Sequence, residues 1–200
     1  MQGLAPPCRE WNRRGICFAW MFPAPDFMHN ANVMKVLPIA AFAAAAALLL
    51  PAVPACATDV GQPAPAFTLP AAKGDPVALD KLRPKVVYVD FWASWCGPCR
   101  RSFPWMNEMQ QKYGGEGFTI VGVNVDKKRG DADKFLAQNP ANFTVVFDEA
   151  GATPAAYAVK GMPSSYLIDG KGNVVYVERG FLDEHKAEIE QRIAALVGKS

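Results

Sequence analysis

The 200-residue chain is half hydrophobic and one-fifth charged, with a formal net charge of +2, which indicates a globular protein and, at this length, one domain. In residues 58–200, 17 Lys and Arg balance 17 Asp and Glu. No basic excess remains there for nucleic acid or an anionic membrane, so we expect neither as a partner.

A basic, apolar and small-residue order typical of a secretory signal occupies residues 34–57. Met34-Lys35 is followed by an apolar run at 39–50, and Ala55-Cys56-Ala57 fits the A-x-A cleavage rule. We expect cleavage after Ala57 and export to the periplasm. The alternative is an uncleaved anchor facing the periplasm. The apolar run fits it less well, because the run is short for a bilayer core of ~30 Å.

Two further expectations concern this end of the chain. Residues 1–33 show no clear periodicity. Because a signal is read at the N-terminus, we expect them to reflect an upstream start codon, with Met34 or Met28 as the true start. A lipid-anchored protein with Cys56 as the modified residue is a second alternative, which Pro54 fits badly.

After residue 57, strand and helix patterns alternate. The patterns predict a hairpin of 67–69 with 77–79, buried strands at 86–91, 118–125 and 143–147, helices at 96–113, 131–138 and 153–158, paired strands at 166–168 and 174–177, and a closing helix at 183–197. Pro104 is expected to kink the first helix. In the closing helix, Ile189, Ile193 and Leu196 are expected to face the core. This order predicts an α/β fold with a central mixed sheet flanked by helices, in one domain at 58–200.

Two cysteines, Cys96 and Cys99, stand where the apolar strand stops and the helix pattern begins. Such a pair can close a small disulfide ring, and a helix N-terminus favours the thiolate of the first. In an exported chain the pair is either a structural staple or a redox couple, and its setting favours the couple. A zinc site needs four ligands, and the exported part adds only His185, so we expect no metal or cofactor. His185 is interpreted as a solvated helix residue.

Asp90 interrupts the apolar run just before the cysteines. A buried carboxylate costs several kcal/mol unless it is hydrogen-bonded or neutral. A charged residue at such a position therefore indicates a functional role.

The segment Trp95-Cys96-Gly97-Pro98-Cys99 at a strand-to-helix turn resembles the active site of the thioredoxin superfamily. Asp90, six residues before Cys96, and the Gly161-Met162-Pro163 turn extend the resemblance over essentially the whole of residues 58–200. The chain is most similar to exported TlpA/ResA-like thiol-disulfide oxidoreductases. The hairpin and the helix and strand between Asp126 and Gly161 are that branch's additions to the thioredoxin fold.

The resemblance implies that Cys96 attacks a client disulfide, that Cys99 resolves the mixed disulfide, and that Asp90 takes up the proton of Cys99. The chain departs from the family pattern at two positions. The lysine that accompanies the acid in thioredoxin is replaced by Gly122, and the acid that ResA-like members carry three residues after the second cysteine is Ser102.

Client binding is implied for the residues around the cysteines. A cis Met162-Pro163 bond would direct the Met162 backbone toward an extended client segment. Trp95 would form part of an apolar docking surface, with Gly97 and Pro98 beside it.

Gly97-Pro98 is the dipeptide of reducing thioredoxins, so the resemblance favours an exported, monomeric reductase of client protein disulfides. It implies a membrane thiol-electron carrier as reductant and apocytochromes c or copper-site proteins among the clients. The alternatives are a periplasmic oxidant or isomerase, and a non-catalytic client-binding module.

Overall fold

The computed structural model of the protein describes residues 58–198. The expectations for residues 1–33, the signal at 34–57 and Cys56 lie outside the described residues. Within 58–198, no helix is both long enough and apolar enough to cross a membrane.

The sheet is built around a wholly buried strand, β3, in which all seven residues are buried. Five strands pair in the order β5-β4-β3-β6-β7, with β4 and β5 parallel to β3 and with β6 and β7 antiparallel. A separate antiparallel hairpin is formed by β1 and β2. The strands are β1 Thr68–Leu69, β2 Val77–Ala78, β3 Val86–Trp92, β4 Phe118–Asn124, β5 Thr144–Phe147, β6 Ser164–Ile168 and β7 Val174–Arg179.

Four α-helices connect or flank these strands: α1 Gly97–Tyr113, α2 Arg129–Gln138, α3 Ala152–Ala156 and α4 Lys186–Val197. Short 3-10 turns occupy Leu79–Leu82, Gly114–Glu116 and Asp183–His185. Pro104 lies inside α1, which continues past it to Tyr113, and the kink expected there stays a prediction. The predicted mixed sheet flanked by helices is confirmed.

The two faces of the sheet bury different sets of side chains. On one face, α1, α2 and α4 contribute buried residues such as Phe103, Phe135 and Ile189 to a core that also contains both cysteines. Ile193 is buried as predicted, whereas Leu196 is partly buried at the edge of this core. The opposite face is covered by the hairpin, the first 3-10 turn and the α3 region, around an aromatic group of Phe67, Phe91, Tyr157 and Tyr166.

The segment around β1 also covers both edges of the sheet. Residues 61–64 bond to the start of β7 through the Gly61 N–H to Val174 O contact of 2.8 Å. Residues 70–72 bond to β5 through the Ala72 N–H to Val145 O contact of 2.8 Å. Because unpaired edge strands invite association with other chains, this segment protects the sheet as well as covering its face.

Gly122 on β4 lies directly opposite Asp90 and leaves room for aromatic side chains. A Cβ at this position would lie 3.0 Å from the Phe143 ring and 3.2 Å from Trp92 Nε1. These contacts are tighter than ordinary van der Waals packing, and both neighbours belong to the aromatic core.

Gly122→Ala is therefore expected to lower the free energy of unfolding by about 1–3 kcal/mol through overpacking. The matched control is Gly130→Ala, on an open position of α2 where a Cβ meets nothing within 4 Å. It should hold or raise stability, by up to about 1 kcal/mol, because alanine favours helix. Urea denaturation of both variants measures this, and equal stabilities for the two would contradict the packing described here.

Candidate active site

The cysteines lie where the chain passes from the central strand β3 into the first helix α1. Cys96 is the N-cap of α1, Pro98 occupies its first turn, and the two sulfurs form a disulfide with a Cα–Cα distance of 5.3 Å. The Cys99 N–H donates to Cys96 Sγ at 3.2 Å. The unpaired N–H groups and the dipole of α1 are therefore directed at the first sulfur, which is the arrangement that stabilises a thiolate.

The two cysteines differ in exposure. Cys96 is 4% exposed and Cys99 is fully buried, whereas the neighbouring Trp95 is 72% exposed. Gly97 is exposed and Pro98 is partly buried beside them. An incoming disulfide can therefore approach Cys96 across the Trp95 surface, and Cys99 lies behind it.

A buried carboxylate holds the turn that carries Trp95. Asp126 accepts hydrogen bonds from the Ser94 backbone N–H at 2.9 Å, the Ser94 hydroxyl at 3.0 Å and the Asn124 amide at 2.7 Å. Asp126 follows β4, which pairs with β3, so the pairing of these strands brings Asp126 to the turn that follows β3. Sequence reasoning missed this clamp, because only the strand pairing brings Asp126 to Ser94.

The Gly161-Met162-Pro163 turn precedes β6, and the Met162-Pro163 bond is cis as predicted. Pro163 is buried, and Met162 is partly buried against the core cluster that contains Cys96. Within residues 58–198 the Met162 N–H and C=O have no hydrogen-bond partner. The turn is thus placed on the cysteine side of the sheet, with backbone groups available.

Asp90 is 1% exposed and lies on the same face of β3 as Tyr88 and Trp92, which pack with the cysteines. Its Oδ2 accepts a hydrogen bond of 2.6 Å from the Ser165 hydroxyl. Among the described residues, Oδ1 is buried without a partner. Burial raises the pKa of Asp90 to about 7, and the Ser165 hydrogen bond acts in the opposite direction. The group can therefore exchange a proton near neutral pH.

The two departures from the family pattern have structural counterparts. Gly122 supplies no cation beside Asp90, and aromatic side chains pack where its side chain would be. Ser102 is buried, and its hydroxyl donates to Cys99 O at 2.9 Å. Among the candidate residues from the sequence, Asp90 is consequently the ionisable side chain on the face of β3 that packs with the cysteines.

A second polar group was also missed. Glu178 on β7 is buried and accepts from the Tyr176 hydroxyl at 2.6 Å, and its other oxygen lies 2.9 Å from His185 Nδ1. This hydrogen bond is the main cause that raises the pKa of His185. The interpretation of His185 as a solvated helix residue did not include this partner: its side chain is 38% exposed and contacts Glu178 on β7.

A cavity apart from the cysteines lies within residues 58–198. No group of three or more His, Cys, Asp or Glu side chains there could hold a metal ion. This cavity of about 830 Å³ is lined by residues that include Thr119, Leu136 and Thr144. Thr119 lies near the start of β4 and Thr144 begins β5, whereas the other end of β4 leads to Asp126 and the Ser94 turn, so this cavity lies toward the end of the sheet away from the cysteines.

Comparison with known proteins defines the class. The model of the Redoxin family matches residues 59–193, which is more than half of the chain, and the protein belongs to this family. Together with the fold and the cysteine pair, the relatives described next show a thioredoxin-fold thiol-disulfide oxidoreductase of the TlpA/ResA-like type. Proteins that carry disulfides are the clients of this class.

Relatives cover most of the described residues. The thiol-disulfide oxidoreductase ResA of Geobacillus kaustophilus is 34% identical over 140 residues, covering 70% of this chain and 79% of the relative. ResA of Bacillus subtilis is 35% identical over 124 residues, covering 62% and 69%. A crystal structure described as that of a candidate thiol:disulfide interchange protein DsbE from Chlorobium tepidum is 56% identical, with a TM-score of 0.68, and covers 70% of this chain and 99% of its own.

The raised pKa of Asp90 makes stability depend on pH. Between the unfolded value near 4 and the folded value of about 7, the folded state binds a proton that the unfolded state has lost. The free energy of unfolding of the wild type should therefore fall as pH rises through this window, by up to about 1.4 kcal/mol per pH unit from this group.

Asp90→Asn removes that contribution, so its stability relative to the oxidised wild type should increase from pH 5 to pH 8. Urea denaturation of both proteins at the two pH values measures the change, and other carboxyl groups cancel in the difference. A stability difference that stays constant between pH 5 and pH 8 would show that Asp90 ionises normally.

Proposed function

We propose that the protein reduces the disulfides of client proteins in the periplasm. The observation that carries the exchange chemistry is the Cys96–Cys99 pair at the N-terminus of α1, with Cys96 the N-cap residue and Cys99 fully buried. The signal expected at residues 34–57 supports export, and residues 58–200 then form the working domain.

The proposed reaction has two exchange steps. The Cys96 thiolate attacks one sulfur of the client disulfide, the other client sulfur leaves as a thiolate and takes a proton, and a mixed disulfide forms. Cys99 then loses its proton to Asp90, and its thiolate attacks Cys96 Sγ. The second client sulfur leaves, the client is reduced by two electrons, and the protein becomes the disulfide form seen here.

Client binding is proposed for the surface beside Cys96. Trp95, with Gly97 and Pro98 next to it, offers an exposed contact area for apolar client side chains. The free backbone groups of Met162, held by the cis bond to Pro163, would pair with an extended client segment, as in β-strand addition. Trp95 precedes Cys96 in the chain, and Met162 packs against the core cluster that contains Cys96.

The reducing direction is supported by Gly97-Pro98, the dipeptide found in reducing thioredoxins. A protein that reduces clients outside the cytosol needs electrons, so we propose a membrane thiol-electron carrier as its reductant. Apocytochromes c and copper-site proteins are the proposed clients, and the protein is proposed to act as a monomer.

The assignment of the two cysteines predicts a difference between single variants. Reduced Cys99→Ala should form a persistent mixed disulfide with insulin, because attack by Cys96 is retained and nothing resolves it. Cys96→Ala should trap little, because Cys99 is fully buried. Non-reducing electrophoresis and intact mass measure the trapped fraction of both variants. Equal trapping by the two would contradict the assignment of Cys96 as nucleophile and Cys99 as resolving cysteine.

The proton transfer to Asp90 predicts a selective kinetic effect. Asp90→Asn should slow resolution by about 10²-fold, the lower end of general-base contributions, while the first attack by Cys96 changes much less. Stopped-flow measurement with insulin separates the steps. The matched control is Asp80→Asn, an exposed residue of a 3-10 turn on the opposite face of the sheet, which should leave both rates unchanged. Resolution at the wild-type rate in Asp90→Asn would remove Asp90 from the mechanism.

A further inference from the structure

Two adjacent serines follow the Met162-Pro163 turn and have different partners. Ser164 donates from its hydroxyl to Gly161 O at 2.8 Å and so closes the turn itself. Ser165 is 2% exposed, lies opposite Asp90 in the β3–β6 register, and donates to Asp90 Oδ2 at 2.6 Å. Because successive strand residues point to opposite faces, only the second serine can reach the buried carboxyl.

Within residues 58–198, Ser165 is the hydrogen-bond partner of the Asp90 carboxyl, and it engages one oxygen only. A hydroxyl that donates to a carboxylate stabilises the charged form. It also fixes the rotation of the carboxyl group, so the other oxygen, Oδ1, keeps its lone pairs available. Both effects bear on the ability of Asp90 to accept a proton.

Ionisable groups on the neighbouring elements also surround this contact. On β3, burial and then the charge of Asp90 raise the pKa of Tyr88 well above its usual value, so Tyr88 stays neutral. On β7, Glu178 forms hydrogen bonds with Tyr176 and with His185, which precedes α4. From β4 comes Gly122, which has no side chain, and α1 contributes the cysteine pair. No cation therefore replaces the Ser165 hydroxyl as the group that favours ionised Asp90 in the described part of the chain.

Resting on the role of Asp90 proposed above, we propose that Ser165 is a positioning residue that sets the pH range of the resolution step. Its hydroxyl stabilises the Asp90 carboxylate and holds Oδ1 free for the proton of Cys99. In that step the proton passes from Cys99 Sγ to Asp90, the Cys99 thiolate attacks Cys96 Sγ, and the client sulfur leaves as a thiolate. Ser165 supplies the stabilisation of the carboxylate that a neighbouring cation would otherwise give.

Ser165→Ala tests this role in the folded protein. Its Asp90 titration midpoint, read from the side-chain carboxyl ¹³C shift by NMR, should rise by roughly one pH unit, the scale of a lost hydrogen bond to a charged group. The pH dependence of mixed-disulfide resolution, with oxidised glutathione as the probe, should move by the same amount. Ser165→Thr keeps the hydroxyl and should restore the wild-type midpoint, and Ser164→Ala should leave that midpoint unchanged.

A purely structural serine would lower stability without moving either midpoint. An unchanged Asp90 midpoint in Ser165→Ala, with slow resolution in Asp90→Asn, overturns the role of Ser165 alone. Normal resolution in Asp90→Asn overturns the role of Asp90 and, with it, that of Ser165.

Discussion

The hydrogen bond between Asp90 and Ser165 is the contact on which the proposed proton transfer at this site depends. It places an ionisable group inside a strand that is otherwise apolar and buried throughout. Such a group is tolerated because it is held by a hydroxyl and because its pKa lies near 7, so that it is neutral over much of the acidic range. A buried acid that titrates near neutrality is suited to receive and return a proton.

The strand β6 links the two halves of the proposed reaction. It begins directly after the turn proposed to bind a client, and its second residue, Ser165, donates to Asp90, the acid proposed to serve the resolving cysteine. On the other side of β3, the strand β4 leads to Asp126, which fixes the turn before Cys96. The pairing of three adjacent strands therefore sets the positions of the client-binding backbone, the acid and the nucleophile together. The edge contacts of residues 61–64 and 70–72 protect that sheet from both sides.

Most of the fold followed from local patterns. The β-branched run at 86–91 predicted β3, and the apolar spacing after Cys96 predicted α1, because burial on two faces or on one stripe has a direct sequence period. The proline turn and its cis bond followed from resemblance. What could not be predicted depends on how strands and helices come together: Ser165 and Asp126 bind partners 75 and 32 residues away, and Glu178 meets His185 across the turn between β7 and α4. The strand predicted at 166–168 begins after both serines, whereas β6 begins at Ser164, so the role of Ser165 became visible only with the pairing of β6 and β3.

The most direct test of the proposed function is the reduction potential of the Cys96–Cys99 couple, equilibrated against glutathione at pH 7. Potentials of such pairs run from about −270 mV in thioredoxin to about −120 mV in DsbA. If the protein reduces client disulfides, this reduction potential should lie at the thioredoxin end of the range, more negative than about −220 mV. A value near −120 mV would contradict the reducing direction and make the protein an oxidant of its clients.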